Sequence, residues 1–532
     1  MGIRELDTPA CSCMSTFASI GLCNTHRILY RNENQRTIEG DLFSALVSVG
    51  AVSKANAADP KKSSFVRCAR TDKGVHAAGN VVSLKMIVED DDIVQRINDK
   101  LSPQIRVWGY ELTSKSFSCY QMCDSRVYEY LMPSHSLLPP HPSTYLGRKI
   151  VQIAEEKGEL DAVKGRQEEV ATFWDEVDEQ YIKPILETLP EDIRGVVEKS
   201  LYLDDDSRDA LQPTEAKEES SAPTEPPADE QSEQTTDEPG EPKPFVMEPR
   251  QKAIVDAIKA VKAAYLKARR AYRAPASRIT RLQECLSRYE GTINFHNYTI
   301  QKAHNDPSAK RHIKSFQVNT TPIIINGTEW LSLKVHGQSF MMHQIRKMVA
   351  MATMVVRAGC HPDRIPETYG SDRIAIPKAP GLGLLLERPI FEAYNKKAQG
   401  LDRQPLNFER WEAEMNEFKQ REIYDRIFRE EEQSAGYVIP CFRCDDNTNF
   451  GCSFASFFNH IDHFPAEYFL YVTSGGIPAA KLATATAPMD PGSPNAGSRS
   501  RNVQRDQRDA LAAVEGGSDD EGKAPVGGEE EG

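Results

Sequence analysis

The chain has 532 residues, enough for two or three domains, and a formal net charge of −13 that taken whole argues against a nucleic-acid partner. Its 11 cysteines are odd in number and scattered, which excludes a disulfide framework and fits free thiols in a reducing compartment. No apolar run reaches the roughly 18 residues a membrane helix needs, so a spanning helix is excluded too.

The charge is unevenly spread. Residues 204–248 hold 15 acidic and 3 basic side chains, net −12, and residues 515–532 hold 7 and 1, net −6; the remainder is therefore +5. Both acidic segments are too polar to bury a core and are expected to be disordered, which leaves a mildly basic folded part.

Residues 1–35 are poorly patterned; Cys11, Cys13 and Cys23 are too irregular for a metal site. From residue 41 to 49, Leu42, Leu46 and Val49 fall at helical spacing, and Gly50 follows as a stop. Next come two strand-like runs, Phe65-Val66-Arg67-Cys68 and Asn80 to Met86, the second alternating through Val82, Leu84 and Met86. Between them Asp72-Lys73-Gly74 reads as a turn that presents a carboxylate among Arg67, Arg70, Lys73 and His76. Opposite charge nearby keeps such a carboxylate ionised, and an ionised carboxylate can act as nucleophile or base. Residues 90–101 predict a second helix through Ile93, Ile97 and Leu101, and 105–112 a strand.

In Ser125-Arg126-Val127-Tyr128-Glu129-Tyr130-Leu131 a strand period puts Arg126, Tyr128 and Tyr130 on one side. Residues 149–201 are helix-like, and the Pro-, Glu-, Thr- and Ser-rich stretch after them cannot fold. Residues 250–288 carry 11 basic and 2 acidic side chains. Ile254, Ile258, Val261 and Leu266 form a packing face there. Lys259, Lys262, Lys267, Arg269, Arg270 and Arg273 form a cationic stripe whose natural partner is a phosphate backbone. Phe295, His296 and Tyr298 fit either base stacking or core packing. Leu331, Leu333 and Val335 alternate as a strand, and Ser339 is placed to cap a helix over 340–358. That helix has Ile345, Met348, Val349, Ala352 and Val356 inward and His343, Arg346 and Lys347 on the opposite side. A Gly-rich turn, Gly381-Leu382-Gly383, then leads into a Leu run that reads as a buried strand. Residues 411–432 are charged and helical. Cys441, Cys444, Cys452, His460 and His463 fit no standard zinc spacing.

Taken together, Arg70-Thr71-Asp72-Lys73-Gly74-Val75-His76-Ala77, the Arg126-x-Tyr128-x-Tyr130 strand, Tyr289 to Tyr298, Asp306 to Arg311, the Arg346 helix and Ile376 to Leu386 resemble the tRNA pseudouridine synthases of the A family, most closely its eukaryotic branch. The resemblance covers roughly residues 36–395 in ordered blocks. It implies an α+β fold of two domains, each an antiparallel sheet with helices packed on one face, meeting at a basic central cleft. It implies isomerisation of uridine to pseudouridine in tRNA, with small nuclear and messenger RNA as further substrates. No cofactor, membrane or obligate protein partner is implied, and the implied location is nuclear.

The resemblance also assigns roles. Asp72 is the expected nucleophile, and Arg346 its ionic partner, with Arg70 as a second cation or as the side chain that fills the gap left by the flipped base. Tyr128 is expected to stack on the uracil and to stand where the C5 proton leaves, although an ordinary tyrosine pKa near 10 suits that poorly. Leu384 or Leu385 is expected beside the uracil. The family's first strand is Tyr- and Gly-rich and ends in Gln; Gly21 to His26 stands at that place without the pattern, so this strand is expected to be lost or replaced.

The expected organisation is a poorly patterned N-terminus (1–35), an N-terminal α+β domain with the Asp72 loop (36–115) and a C-terminal α+β RNA-binding domain (116–395) broken by a disordered acidic insertion (203–249). A charged helical extension (396–478) and a disordered tail (479–532) follow. The rival expectation is an RNA-binding or RNA-folding protein that keeps the cleft and has lost its chemistry.

Overall fold

A ten-stranded mixed sheet organises the computed structural model, which describes residues 15–22, 37–71, 74–202, 248–300, 302–400, 403–436 and 454. The strands are β1 (Ser15–Leu22), β2 (Val66–Arg67), β3 (His76–Lys85), β4 (Ile105–Leu112), β5 (Ser125–Pro133), β6 (Gly291–Asn294), β7 (Lys310–Val318), β8 (Ile323–Ile325), β9 (Thr328–Gly337) and β10 (Leu384–Ile390). Their order is β4-β1-β3-β10-β5-β9-β7-β6, with β2 on β3 and β8 on β9. Two separate antiparallel sheets were expected; the strands instead form one sheet. Its joint is the parallel pair β3 and β10, where His76 lies opposite Leu385 and Ala77 opposite Leu386. Every other pairing is antiparallel among the described residues.

The expected loss of the first strand is corrected: β1 pairs with β3 on one side and β4 on the other. Its sequence, Ser-Thr-Phe-Ala-Ser-Ile-Gly-Leu, begins six residues before the stretch where the pattern was sought and shares only Gly21 and Leu22 with it. Backbone hydrogen bonds to two neighbours make a strand of a segment whose side-chain pattern is weak.

The first helix, Ile38–Ser48, starts on the Thr37 hydroxyl, which accepts the Gly40 N–H at 3.1 Å, and stops before Gly50 at φ +81°. Ile93–Lys100 is the second helix. The helix Gln344–Arg357 contradicts its predicted two-sidedness. The five predicted core residues are buried, and so are Arg346 and nearly every other position. A helix apolar on most of its circumference belongs inside a domain. Nor does Ser339 cap it: the turn before it places His343 at φ +61°, and the Gln344 side chain reaches back to the Met341 N–H at 2.9 Å. Phe295, His296 and Tyr298 are buried in the core, which decides their packing in favour of structure.

Alternate residues of β5 serve the two faces of the sheet. Tyr128, Tyr130 and Met132 stand opposite Val335, Leu333 and Leu331 of β9 and face the helix Gln344–Arg357, whose Thr353 hydroxyl approaches the Met132 sulfur at 3.9 Å. Glu129 and, on β9, Trp330 and Ser332 point to the other face. There the C-terminal extension covers them: Trp330 packs on Phe428 at 4.8 Å, and Lys419 and Tyr424 reach Glu129. Helices therefore lie on both faces rather than one. Farther along the chain, between β5 and β6, a helical insertion builds a small core of its own from Val177, Ile182, Ile193 and Val197 against Ala257, Val261 and Ala268 of the basic helix Pro249–Ala271.

All described residues belong to one compact unit, 1–476. Asp72 and Lys73, most of the acidic insertion, Cys11, Cys13 and Cys23, the 441–463 Cys/His group and the 479–532 tail lie outside the described residues. Among the described residues no helix is long and apolar enough to cross a membrane.

Candidate active site

Backbone hydrogen bonds and two side chains fix the base of the loop that leads to Asp72. The Cys68 N–H donates to the Val81 carbonyl at 2.8 Å. Asn80, a polar residue inside an apolar strand, donates its amide to the Ala69 carbonyl at 3.0 Å. Arg126 donates to the Cys68 carbonyl at 3.0 Å. Gly74, at φ +84°, turns the chain back into β3 in a region that side-chain-bearing residues avoid. Arg70 is exposed, and Thr71 and Val75 are buried on either side of the turn.

The ring of charge expected around the turn is smaller than the sequence suggested. Arg67 is held by Glu39 at 2.7 Å. His76 is buried and points, with Leu385, toward the C-terminal extension; burial, and then the Arg426 guanidinium, push its pKa down to about 3. A neutral imidazole adds no positive charge to the loop. The cause is strand alternation: His76 opens β3 on the face away from Tyr128.

Arg346 and the β5 tyrosines converge on one segment. The Arg346 Nε donates to the Ala379 carbonyl at 2.7 Å, and the Tyr130 hydroxyl donates to the neighbouring Pro380 carbonyl at 2.8 Å. This fixes the Arg346 side chain beside the Gly-rich turn that opens β10. At Gly383 a Cβ would collide with the Leu131 carbonyl, so only glycine lets that turn close on β5. Tyr128 is nearly buried, with its ring edge-to-face with Phe340 at 5.2 Å. Register also separates the two leucine candidates: Leu384 lies opposite Tyr130 on the Tyr128 face, and Leu385 opposite Glu129 on the other.

Four residues of the cationic stripe are engaged within the protein, the first being Lys259, 3.9 Å from Asp256 one turn before it. Arg269 lies over the Trp174 ring at 5.3 Å, Arg270 meets Glu432 at 4.0 Å, and Arg273 donates to the Tyr272 and Gly327 carbonyls. Lys267 is exposed, 5.7 Å from the Tyr181 ring, and Lys262 is half-buried. None of these residues belongs to the strands that form the site.

Sequence reading missed Asn80 and Arg126 as anchors of the loop. The signal for Asn80 was an amide between apolar strand residues; Arg126 was read only as sharing the Tyr128 side. Among the described residues no group of three or more His, Cys, Asp or Glu could hold a metal ion.

Comparison with known proteins gives the family. A family model described as tRNA pseudouridine synthase matches residues 286–392, the stretch with β6 to β10 and the Arg346 helix. The chain is 42% identical over 415 residues to "tRNA pseudouridine synthase 1" of Yarrowia lipolytica, covering 77% of this chain and 70% of that one. It is 38% identical to the Schizosaccharomyces pombe protein of the same name, covering 86% and 85%. It is also 33% identical to "tRNA pseudouridine(27/28) synthase" of Saccharomyces cerevisiae, covering 76% and 91%. With relatives of this identity matching three quarters or more of its length, the chain belongs to the tRNA pseudouridine synthase family.

Proposed function

We infer that the chain is an isomerase that converts uridine to pseudouridine in tRNA. The observation that carries this is that the stem of the loop before Asp72 is tied to the Tyr128 strand, and that the buried Arg346 and Tyr130 of that strand hold neighbouring carbonyls, in a chain of this family. In the reaction the C1′–N1 glycosidic bond breaks, the uracil turns, C1′ bonds to C5, the C5 proton leaves and N1 takes up a proton. Product and substrate have the same atoms and oxidation state.

Asp72 is the proposed nucleophile, held ionised by Arg346. Arg346 is suited to this because it is buried and its guanidinium is oriented by the Ala379 carbonyl. Tyr128 is proposed to stack on the uracil, and Leu384 to flank it, both from the same face of the sheet. A uridine must leave its stack to reach such a site, and exposed Arg70 is the proposed occupant of the gap. The two halves of the sheet, joined at β3 and β10, are read as the walls of a basic cleft for RNA, with Lys262, Lys267, Arg269, Arg270 and Arg273 proposed as more remote phosphate contacts. The family resemblance alone supports a nuclear location and small nuclear or messenger RNA as further substrates.

Asp72→Asn tests the nucleophile. The amide keeps the shape and cannot attack, so release of tritium from tRNA labelled at uridine C5 should stop while tRNA binding persists. Substantial turnover by this variant removes Asp72 from the chemistry.

A further inference from the structure

Arg126 is the second residue of the strand that carries Tyr128 and sits on the Tyr128 side of the sheet, opposite Gly337 of β9 and Pro389 of β10. Its two terminal nitrogens serve different segments. Nη2 donates to the Cys68 carbonyl at 3.0 Å, and Nη1 to the Gln338 carbonyl at 3.3 Å. Cys68 is the last residue before Ala69 and Arg70, where the chain enters the Asp72 loop. Gln338 is where β9 ends and the chain turns toward the helix of Arg346. These partners lie 58 and 212 residues away in sequence. One guanidinium thus touches the entries to two segments that bear catalytic candidates, and its own strand bears the third two residues on.

The chemistry suits arginine alone. A planar fork with separate donors can span two carbonyls that approach from different sides; a lysine ammonium on a flexible stem is a point donor and cannot hold the distance between them. The link is also specific to position. Asn80 holds the Asp72 loop to its own strand β3, whereas Arg126 ties that loop to the half of the sheet that carries Arg346.

We propose that Arg126 is a positioning residue for the isomerisation, setting the Asp72 loop against Tyr128 and the Arg346 helix without touching the RNA base. The proposal rests on the function inferred above. Displacement of a reacting group by about 1 Å can cost on the order of 100-fold in rate. In single-turnover assays at saturating tRNA, Arg126→Lys should therefore lower the rate constant roughly 30- to 100-fold and change tRNA affinity less than about threefold. The charge and alkyl stem remain in this variant, and its melting temperature should stay close to that of the parent. Arg126→Gln, a shorter donor without charge, should be slower still.

Three results would overturn the proposal: Arg126→Lys turning over within about threefold of the parent, a loss confined to tRNA affinity, or a loss that follows a collapsed melting transition. The last would make Arg126 a stability residue only. Asp72→Asn, measured alongside, separates the two inferences: activity in that variant defeats the assignment of the nucleophile, whereas Arg126→Lys at parental rate with Asp72→Asn inactive defeats only the positioning role.

Discussion

On β5, Tyr128, Tyr130 and Met132 face the helix of Arg346, while Glu129 faces the C-terminal extension. The first face is apolar apart from hydroxyl and guanidinium groups fixed by backbone carbonyls. The second holds a buried ionic cluster. The Lys419 ammonium lies 2.6 Å from Glu129 and 2.7 Å from Glu387, the Tyr424 hydroxyl donates to Glu129 at 2.8 Å, and the Ser332 hydroxyl donates to the same carboxylate. One strand therefore builds the candidate site with its even-numbered residues and fastens the extension with Glu129. The difference teaches that charge buried near a candidate site need not belong to its chemistry: Glu129 is more buried than Arg346, yet it points away.

The sharpest way to break this comparison is to change one cation on each face. Arg346→Met should lower turnover by about 100- to 1,000-fold, the order seen when a charge-stabilising group is removed from an active site. Its tRNA affinity should change little. Parental turnover in a folded Arg346→Met protein would take Arg346 out of the reaction.

Lys419→Met is the counterpart on the other face. It leaves the Glu129 and Glu387 carboxylates without their shared cation, and breaking such a buried pair costs about 3–5 kcal/mol of stability. Denaturant unfolding should show this loss, and turnover per folded molecule should be nearly unchanged. Adding Glu129→Gln should recover part of the stability, because one buried charge is then gone. A Lys419→Met protein with parental stability and low turnover would reverse the assignment of the two faces.

The smallest effect concerns acid. Burial holds His76 at a pKa of about 3, with Arg426 adding to the depression, and His135 is likewise pushed down to about 3 by burial and then by Arg269, Arg357 and Arg270. Unfolded histidine titrates near 6.5. Their folded pKa values are depressed, so their contribution to stability is complete above about pH 6.5 and is lost as pH falls toward 3. Each histidine should contribute a slope of about 1.4 kcal/mol per pH unit within that window. Burial tends to raise the Glu129 carboxyl, but Lys419 and its hydrogen-bond donors hold it below the usual value, so its own contribution is lost only at lower pH. His76→Phe should therefore flatten the unfolding free energy between pH 6 and 5 by about one histidine's share. An unchanged slope would show that His76 accepts a proton in the folded protein.

Much of the architecture could be read from the chain because it depends on local period. The helix at Leu42 and Leu46, the strand at 105–112 and the shared side of Arg126, Tyr128 and Tyr130 follow from residue spacing that backbone geometry enforces. The Thr37 cap and the Gly50 stop depend only on neighbours a few residues away. The family motifs were likewise visible as ordered strings of residues.

Period could not say what covers each face or which distant segments meet. β1 exists because β3 and β4 both hydrogen-bond it, and nothing in its own side-chain pattern required that. His76 was counted beside the Asp72 turn by proximity in sequence, but the parallel register with β10 turned it to the far face and burial made it neutral. Period put Arg346 opposite the packing face of its helix, and only tertiary packing showed that nearly the whole helix, Arg346 included, is enclosed. Arg269 carries the same charge whether it meets a phosphate or a tryptophan ring, and only the fold of the insertion put Trp174 beneath it. Sequence fixes the chemistry and local geometry of each residue; the partners that decide its charge state and role come from segments tens to hundreds of residues away, brought together when the sheet closes.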